Sequence, residues 1–238
     1  MTTNSEQECD VPILFVCNDH HDQNSEVTVQ PFSKHPSIPL SHEWNFYYEA
    51  PPKYVPKHAK NKKVENTEED EKERLKKIFT FSSVQEFWGL CNNIPQINQL
   101  GIKASYHLMR KDVEPRWEDP FNERGGIWTV RISKQHALVF WQNLLLATIG
   151  GTFFSVLEEG DEISGVTFGA RKVDVVFMVW NKKGDISELS QTKLFKVIES
   201  CMPESKSEPS GDDTPKRLKI ETSFYKKNND HTDFATKK

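Results

Sequence analysis

Residues 103–132 read KASYHLMRKDVEPRWEDPFNERGGIWTVRI. The two ends, Lys103 to Arg110 and Ile127 to Ile132, alternate apolar and polar residues with the period of two expected of half-buried strands. Between them, Glu114-Pro115-Arg116-Trp117-Glu118-Asp119-Pro120 is polar and turn-rich, and no core there demands an indole. Gly125-Gly126 permits a tight turn into the second strand, so the loop and the strand after it bring Trp117, Glu118 and Trp128 toward one edge of a sheet.

An indole beside a carboxylate suits a flat, electron-poor ring whose edge carries hydrogen-bond donors, and a methylated, cationic guanine is such a ring. Taken alone, Trp117 is as easily a surface turn residue as a ligand contact.

Working outward, Trp44 to Tyr48 and Ile78 to Phe81 read as further strands. Ser83-Val84-Gln85-Glu86 is a capping box that opens a helix with Val84, Phe87, Trp88 and Cys91 on one face and Pro95 at its end. A second helix runs from Ser133 or Lys134 to Ile149, with Phe140, Trp141, Leu144, Leu145 and Thr148 along one side and Gly150-Gly151 as its stop. Glu162 to Phe168 and Val173 to Trp180 are strands joined by the basic turn Gly169-Ala170-Arg171-Lys172. A third helix spans Gln191 to Cys201, and Arg217 to Tyr225 is a last strand. Antiparallel strands with three one-sided helices predict an α+β fold, a curved antiparallel sheet with the helices on the convex face and a concave face open to a ligand.

With a net charge of −4 and 36% hydrophobic residues, the 238-residue chain fits one domain plus irregular extensions. Residues 1–35 read as a flexible arm and 36–238 as the domain, with a charged loop insertion at 53–77, an acidic and Pro-containing loop at 204–215 and a mobile tail at 226–238. Val11 to Cys17 is too short for a membrane span and lacks a basic flank, so no membrane partner is expected. Cys9, Cys17, Cys91 and Cys201 form no CxxC pair, which disfavours a metal site and points to a reducing compartment. His20, His21 and His107 have no ligand-spaced partners, and Trp44, Trp128 and Trp141 read as core. No nucleophile elbow, phosphate-cradling loop or metal cluster is present, so binding rather than catalysis, with no cofactor, is the expectation.

Several ordered motifs resemble the translation initiation factor 4E family of messenger-RNA cap-binding proteins. They are Pro39-Leu40 with Trp44, Val84-Gln85-Glu86-Phe87-Trp88, Glu114 to Asp119, Arg124 to Trp128, Leu144-Leu145-Leu146 with Ile149-Gly150, and Arg171 nine before Trp180. The segments Ser105 to Arg110 and Leu144 to Gly150 are most similar to class III (type 3) members. The resemblance implies that Trp117 stacks on 7-methylguanine and that Glu118 accepts from its N1–H and amine. It implies that Trp180 touches the methyl group and that Arg171, with Lys172 and Lys237, meets the phosphates. On the convex face, Pro39, Val84, Trp88, Leu146 and Gly150 match the positions that hold a helical peptide of scaffold factor 4G or of 4E-binding repressors. The implied work is translation initiation or its regulation, in the cytoplasm and with the nucleus also open. The alternative is a weak or non-cap-binding competitor that sequesters scaffold proteins.

The departures are specific. Glu71 stands where most members have a second stacking tryptophan, as class III members also lack it, and Tyr54 is a candidate substitute. Val173 replaces a basic residue, Ile38 the histidine before Pro39, and Asn143 an acidic residue that meets the partner. Cap affinity below that of the best-equipped relatives is expected.

Overall fold

The computed structural model describes residues 36–52, 73–204, 218–220 and 222–231. Strands β1 (Pro39–Glu49), β2 (Leu75–Ser83), β3 (Ser105–Arg110), β4 (Gly126–Ser133), β5 (Ile163–Ala170), β6 (Asp174–Asn181) and β7 (Thr222–Lys227) form one sheet. Three α-helices, α1 (Val84–Asn93), α2 (Lys134–Ile149) and α3 (Glu188–Ser200), and three short 3-10 turns are the other described elements. The sheet has seven strands in the order β2-β1-β3-β5-β6-β4-β7, and every neighbouring pair is antiparallel. The predicted α+β architecture is therefore the observed one.

Period-two alternation sorts side chains onto two faces. On β1, Trp44 and Phe46 join the main core beneath the helices, while Tyr47 joins a small second cluster with Met109, Val113, Ile127 and Trp180 on the opposite face. The helices cover the first face because each carries an apolar stripe. Phe87 and Leu90 of α1, Phe140, Trp141, Leu144 and Leu145 of α2, and Leu194 and Ile198 of α3 are all buried. Phe140 and Phe168 meet Phe177 with ring centroids 4.7 and 5.6 Å apart, which locks α2 to β5 and β6.

The helix ends follow local chemistry. Ser83 Oγ accepts from Glu86 N at 3.3 Å and Glu86 Oε2 accepts from Ser83 N at 3.0 Å, the expected capping box. Past α2, Gly151 takes φ 74°, a left-handed turn that favours glycine. For α3 the start is Glu188 rather than Gln191, because Ser187 caps it by accepting from Ser190 N at 3.2 Å.

Several element ends differ from the sequence reading. β1 reaches back to Pro39, since Val84 N donates to Ile38 O at 2.9 Å and zips the strand's start onto α1. β2 begins at Leu75, inside the expected loop, because Leu75 to Lys77 pair with Tyr47 to Glu49. β7 includes Lys226 and Lys227, placed in the tail by the sequence reading, because they pair with Ile127 and Gly126. Trp128 faces away from Trp117, its ring 4.9 Å from Phe195 and 5.6 Å from Tyr225 in the helix-side core. The arm 1–35, most of the 53–77 insertion with Tyr54 and Glu71, nearly all of the 204–215 loop, and Lys237 lie outside the described residues.

Candidate functional site

The face opposite the helices carries a pocket of about 210 Å³ with Trp117, Glu118 and Trp180 in its lining. Its remaining walls come from Glu49, Leu75, His107, Pro115 and Arg116. Trp117 is half-buried and Glu118 exposed, as a ring-binding face and an edge acceptor would need to be. Trp180 is buried, with its indole N–H donating to Thr167 Oγ1 at 3.0 Å.

The loop that presents Trp117 and Glu118 is held from within. Fully buried Asn122 donates through Nδ2 to Glu114 O and Arg116 O, both at 2.9 Å. Asp119 accepts from Glu114 N at 2.9 Å through Oδ2 and from Phe121 N at 2.8 Å through Oδ1. Beneath the loop, Tyr47 donates its hydroxyl to Val113 O at 3.4 Å. Asn122 was not visible as functional in the sequence, because a single Asn in a polar loop carries no pattern. Asn122→Ala is expected to cost about 1–3 kcal/mol of stability, the penalty for two orphaned carbonyls, and to weaken ligand binding several-fold by loosening Trp117. Thermal melts with a binding titration check both; unchanged affinity would contradict the second part.

The floor holds a chain of polar groups that crosses the strands. Thr167 Oγ1 lies 2.9 Å from His107 Nδ1, and His107 Nε2 lies 3.7 Å from Glu49 Oε2. Glu49 Oε1 in turn pairs with Arg74 Nη2, while Arg74 Nε donates to Ala50 O at 3.0 Å. A carboxylate facing Nε2 favours the tautomer with its proton there, so the Thr167 hydroxyl donates to Nδ1. Burial pushes the His107 imidazole below its ordinary value against the opposing pull of Glu49. Burial also pushes the Glu49 carboxyl up, but the nearby His107 imidazole, beyond hydrogen-bond distance at 3.7 Å, and the Arg74 guanidinium outweigh it and hold the group below its usual range. With the imidazole neutral, Arg74 is the standing cation.

Both folded-state values lie below the ordinary ones, so the stability these groups supply is present above the unfolded values and lost as pH falls through the lowered folded ones. The His107 imidazole is therefore expected to titrate below its ordinary ~6.5 in an NMR titration. A midpoint above 7 would contradict the arrangement.

Arg171 and Lys172 sit in the β5–β6 turn, outside the pocket's lining. Arg171 Nη1 lies 3.1 Å from where a Cβ on Gly169 would stand, and alternation puts that point on the same face as Thr167, roughly 7 Å along β5. One of its donors goes to Ala170 O at 3.0 Å. Lys172 is exposed.

A larger open basin of about 600 Å³ includes Glu43, Arg110, Lys111, Phe121, Glu162 and Lys182 in its lining, with none of the candidate ligand residues. Its charges pair with one another, Arg110 and Lys182 with Glu162 at 3.2 and 3.0 Å and Lys111 with Glu43 at 2.6 Å. Lys182 Nζ also covers the Phe121 ring at 4.6 Å. The smaller pocket, with its open indole and exposed acid, is the better ring site.

On the helix side, Trp88 and Leu146 line a groove of about 120 Å³ between α1 and α2 and are 42% and 41% exposed. Pro39, Val84 and Gly150 are outside its lining. Pro39 pairs with Ser83 beside Val84 at the start of α1, and Gly150 is the C-cap of α2. Asn143 donates to Cys201 O at 2.9 Å, so its amide ties α2 to the end of α3. Among the described residues no group of three or more His, Cys, Asp or Glu could hold a metal, and no helix is long and apolar enough to cross a membrane.

One antiparallel sheet with helices on one face and a pocket lined by tryptophans and carboxylates on the other defines the class of α+β protein to which this chain belongs. The family profile described as Eukaryotic initiation factor 4E matches residues 39–237, and the chain belongs to that family. The family's members are cap-binding factors of protein biosynthesis and not enzymes. Eukaryotic translation initiation factor 4E of Candida albicans is 34% identical over 168 residues, 68% of this chain and 73% of that protein. The 4E-1 proteins of Prunus domestica and Zea mays are 35% and 34% identical over 66% of this chain, and the match spans 62% and 65% of their own lengths, under two thirds. Among solved structures, C. elegans eIF4E-3 with the 4E-binding protein Mextli and cap analog has a TM-score of 0.60 at 24% identity, covering 85% of this chain and 97% of that one. Ascaris suum eIF4E-3 with m7G cap has a TM-score of 0.58 at 22% identity, covering 79% and 98%. These likenesses establish the fold.

Proposed function

We propose that this protein binds the 7-methylguanosine cap of messenger RNA on the sheet's open face and serves translation initiation or its regulation in the cytoplasm. The observation that carries this reading is the joining of Trp117, Glu118 and Trp180 in one pocket opposite the helices. Trp117 stacks on the methylated ring, where the positive charge strengthens attraction to the electron-rich indole. Glu118 accepts from N1–H and the exocyclic amine, a donor pair that adenine lacks. Trp180, pinned by Thr167, offers only an edge, which suits contact with the methyl group. Arg171 and Lys172 meet the phosphates from the β5–β6 turn, with Lys237 as a further contact.

On the other face, Trp88 and Leu146 receive a helical segment of scaffold factor 4G or a 4E-binding repressor, with Pro39, Val84 and Gly150 at the margins. The C. elegans protein of like fold is seen with the 4E-binding protein Mextli and cap analog, which supports both surfaces. Placement with class III members rests on the segments Ser105 to Arg110 and Leu144 to Gly150 and on a described pocket lining that offers Trp117 as its one accessible indole face. A sequestering competitor without cap binding has no use for the Trp117 and Glu118 arrangement. Retention on immobilised 7-methylguanosine triphosphate and elution by the free methylated nucleotide, with GTP ineffective at the same concentration, is the expected result. Elution by both alike would refute the reading.

A further inference from the structure

The pocket has a second carboxylate that the family motifs do not account for. Glu49 lies on β1, across β3 from Gly169 and on the wall formed with Leu75 and His107, whereas Trp117 and Glu118 come from the loop. Arg74 fixes its placement through Oε1, while His107 Nε2 lies 3.7 Å from Oε2.

His107 supplies an independent sign that this wall is built for a ligand. Its side chain is 7% exposed, and among the described residues its Nε2 has no hydrogen-bond partner, the Glu49 oxygen at 3.7 Å being too distant. A buried nitrogen left in this state is costly unless something entering the pocket completes it. Arg116, the pocket's cation, pairs with Glu114 at 3.2 Å.

We infer that Glu49, positioned by Arg74 and lying beside His107, reads the positive charge of the methylated ring and so contributes to discrimination between 7-methylguanine and guanine. This rests on the cap-binding reading above and deepens it. Glu118 accepts donors that both rings share, so it selects guanine; a carboxylate on another wall gains specifically from the cation that methylation creates. Such a charge partner does part of the work of a second indole, whose attraction to the ring is also strengthened by that cation. Arg74 holds the carboxylate in place, and His107 presents Nε2–H to an acceptor on the ligand.

The test is a titration of wild type, Glu49→Gln and Glu49→Asp with 7-methyl-GTP and with GTP, with thermal melts to verify folding. Glu49→Gln keeps the shape and removes the charge, so affinity for 7-methyl-GTP is expected to fall roughly tenfold while that for GTP stays within about twofold. Glu49→Asp retains the charge and should keep most of the preference. Equal losses for both nucleotides, no loss for either, or an Asp variant as impaired as the Gln variant would overturn the inference. A wild type that binds both nucleotides equally would instead sink the cap-binding reading itself.

Discussion

Glu118→Ala is expected to lower affinity for 7-methyl-GTP by about a hundredfold or more while leaving the fold intact. The carboxylate is exposed at the mouth of the pocket, so truncation removes no core contact and should change stability by no more than about 0.5 kcal/mol. In the complex it accepts two hydrogen bonds from a cationic ring, and bonds to a charged group contribute roughly 1.5–3 kcal/mol each. A total near 3 kcal/mol corresponds to more than a hundredfold in Kd, since about 1.4 kcal/mol is tenfold. Trp117→Ala should cost less, about 1–3 kcal/mol, the value of one stacked face. The order matters, because a site whose described lining offers one accessible indole depends more on its edge acceptor. Calorimetry on both variants checks it, and a Trp117→Ala loss larger than that of Glu118→Ala would reverse the assignment.

Trp88→Ala is expected to abolish measurable binding of a helical 4E-binding peptide, with a loss of at least about 2 kcal/mol, or some thirtyfold. The indole is 42% exposed, projecting from α1 between Phe87, whose ring centroid is 5.1 Å away, and the groove shared with Leu146. A large, partly exposed aromatic in an apolar groove is the form that interface hot spots take. Cap affinity should be unaffected, because the sheet separates this groove from the pocket. Asn143 limits the partners, since its amide is committed to Cys201 O and offers no charge to a basic residue. Fluorescence polarisation with a labelled peptide gives the answer, and undiminished binding by Trp88→Ala would remove the groove from the account.

Alternation in Lys103 to Arg110 and Ile127 to Ile132, the capping box at Ser83 and the glycines after Ile149 made the sheet and two helices legible, because each is a local signal. Strand ends were less so. Leu75 to Lys77 sit in a charged run, and only pairing with Tyr47 to Glu49 makes them a strand. The start of α3 was missed because Ser187 and Glu188 precede the apolar stripe that marked the helix.

In the site, Trp117 and Glu118 are adjacent and were visible at once. The polar floor was not. His107 reaches Thr167 across 60 residues, and Thr167 reaches Trp180 across 13, so no spacing rule connects them. His107 therefore read as an ordinary core histidine, although the fold sets it beside Glu49 in the pocket wall. Trp128, read as core, packs on the helix side, because Ile127 occupies the pocket face and alternation turns Trp128 to the helices.

Tryptophan fluorescence titration with 7-methyl-GTP and GTP, on wild type and Glu118→Ala, tests the central claim most directly. Wild type is expected to prefer the methylated nucleotide clearly, and Glu118→Ala to lose most of its affinity for both nucleotides. Equal quenching of the wild type by both nucleotides would contradict it.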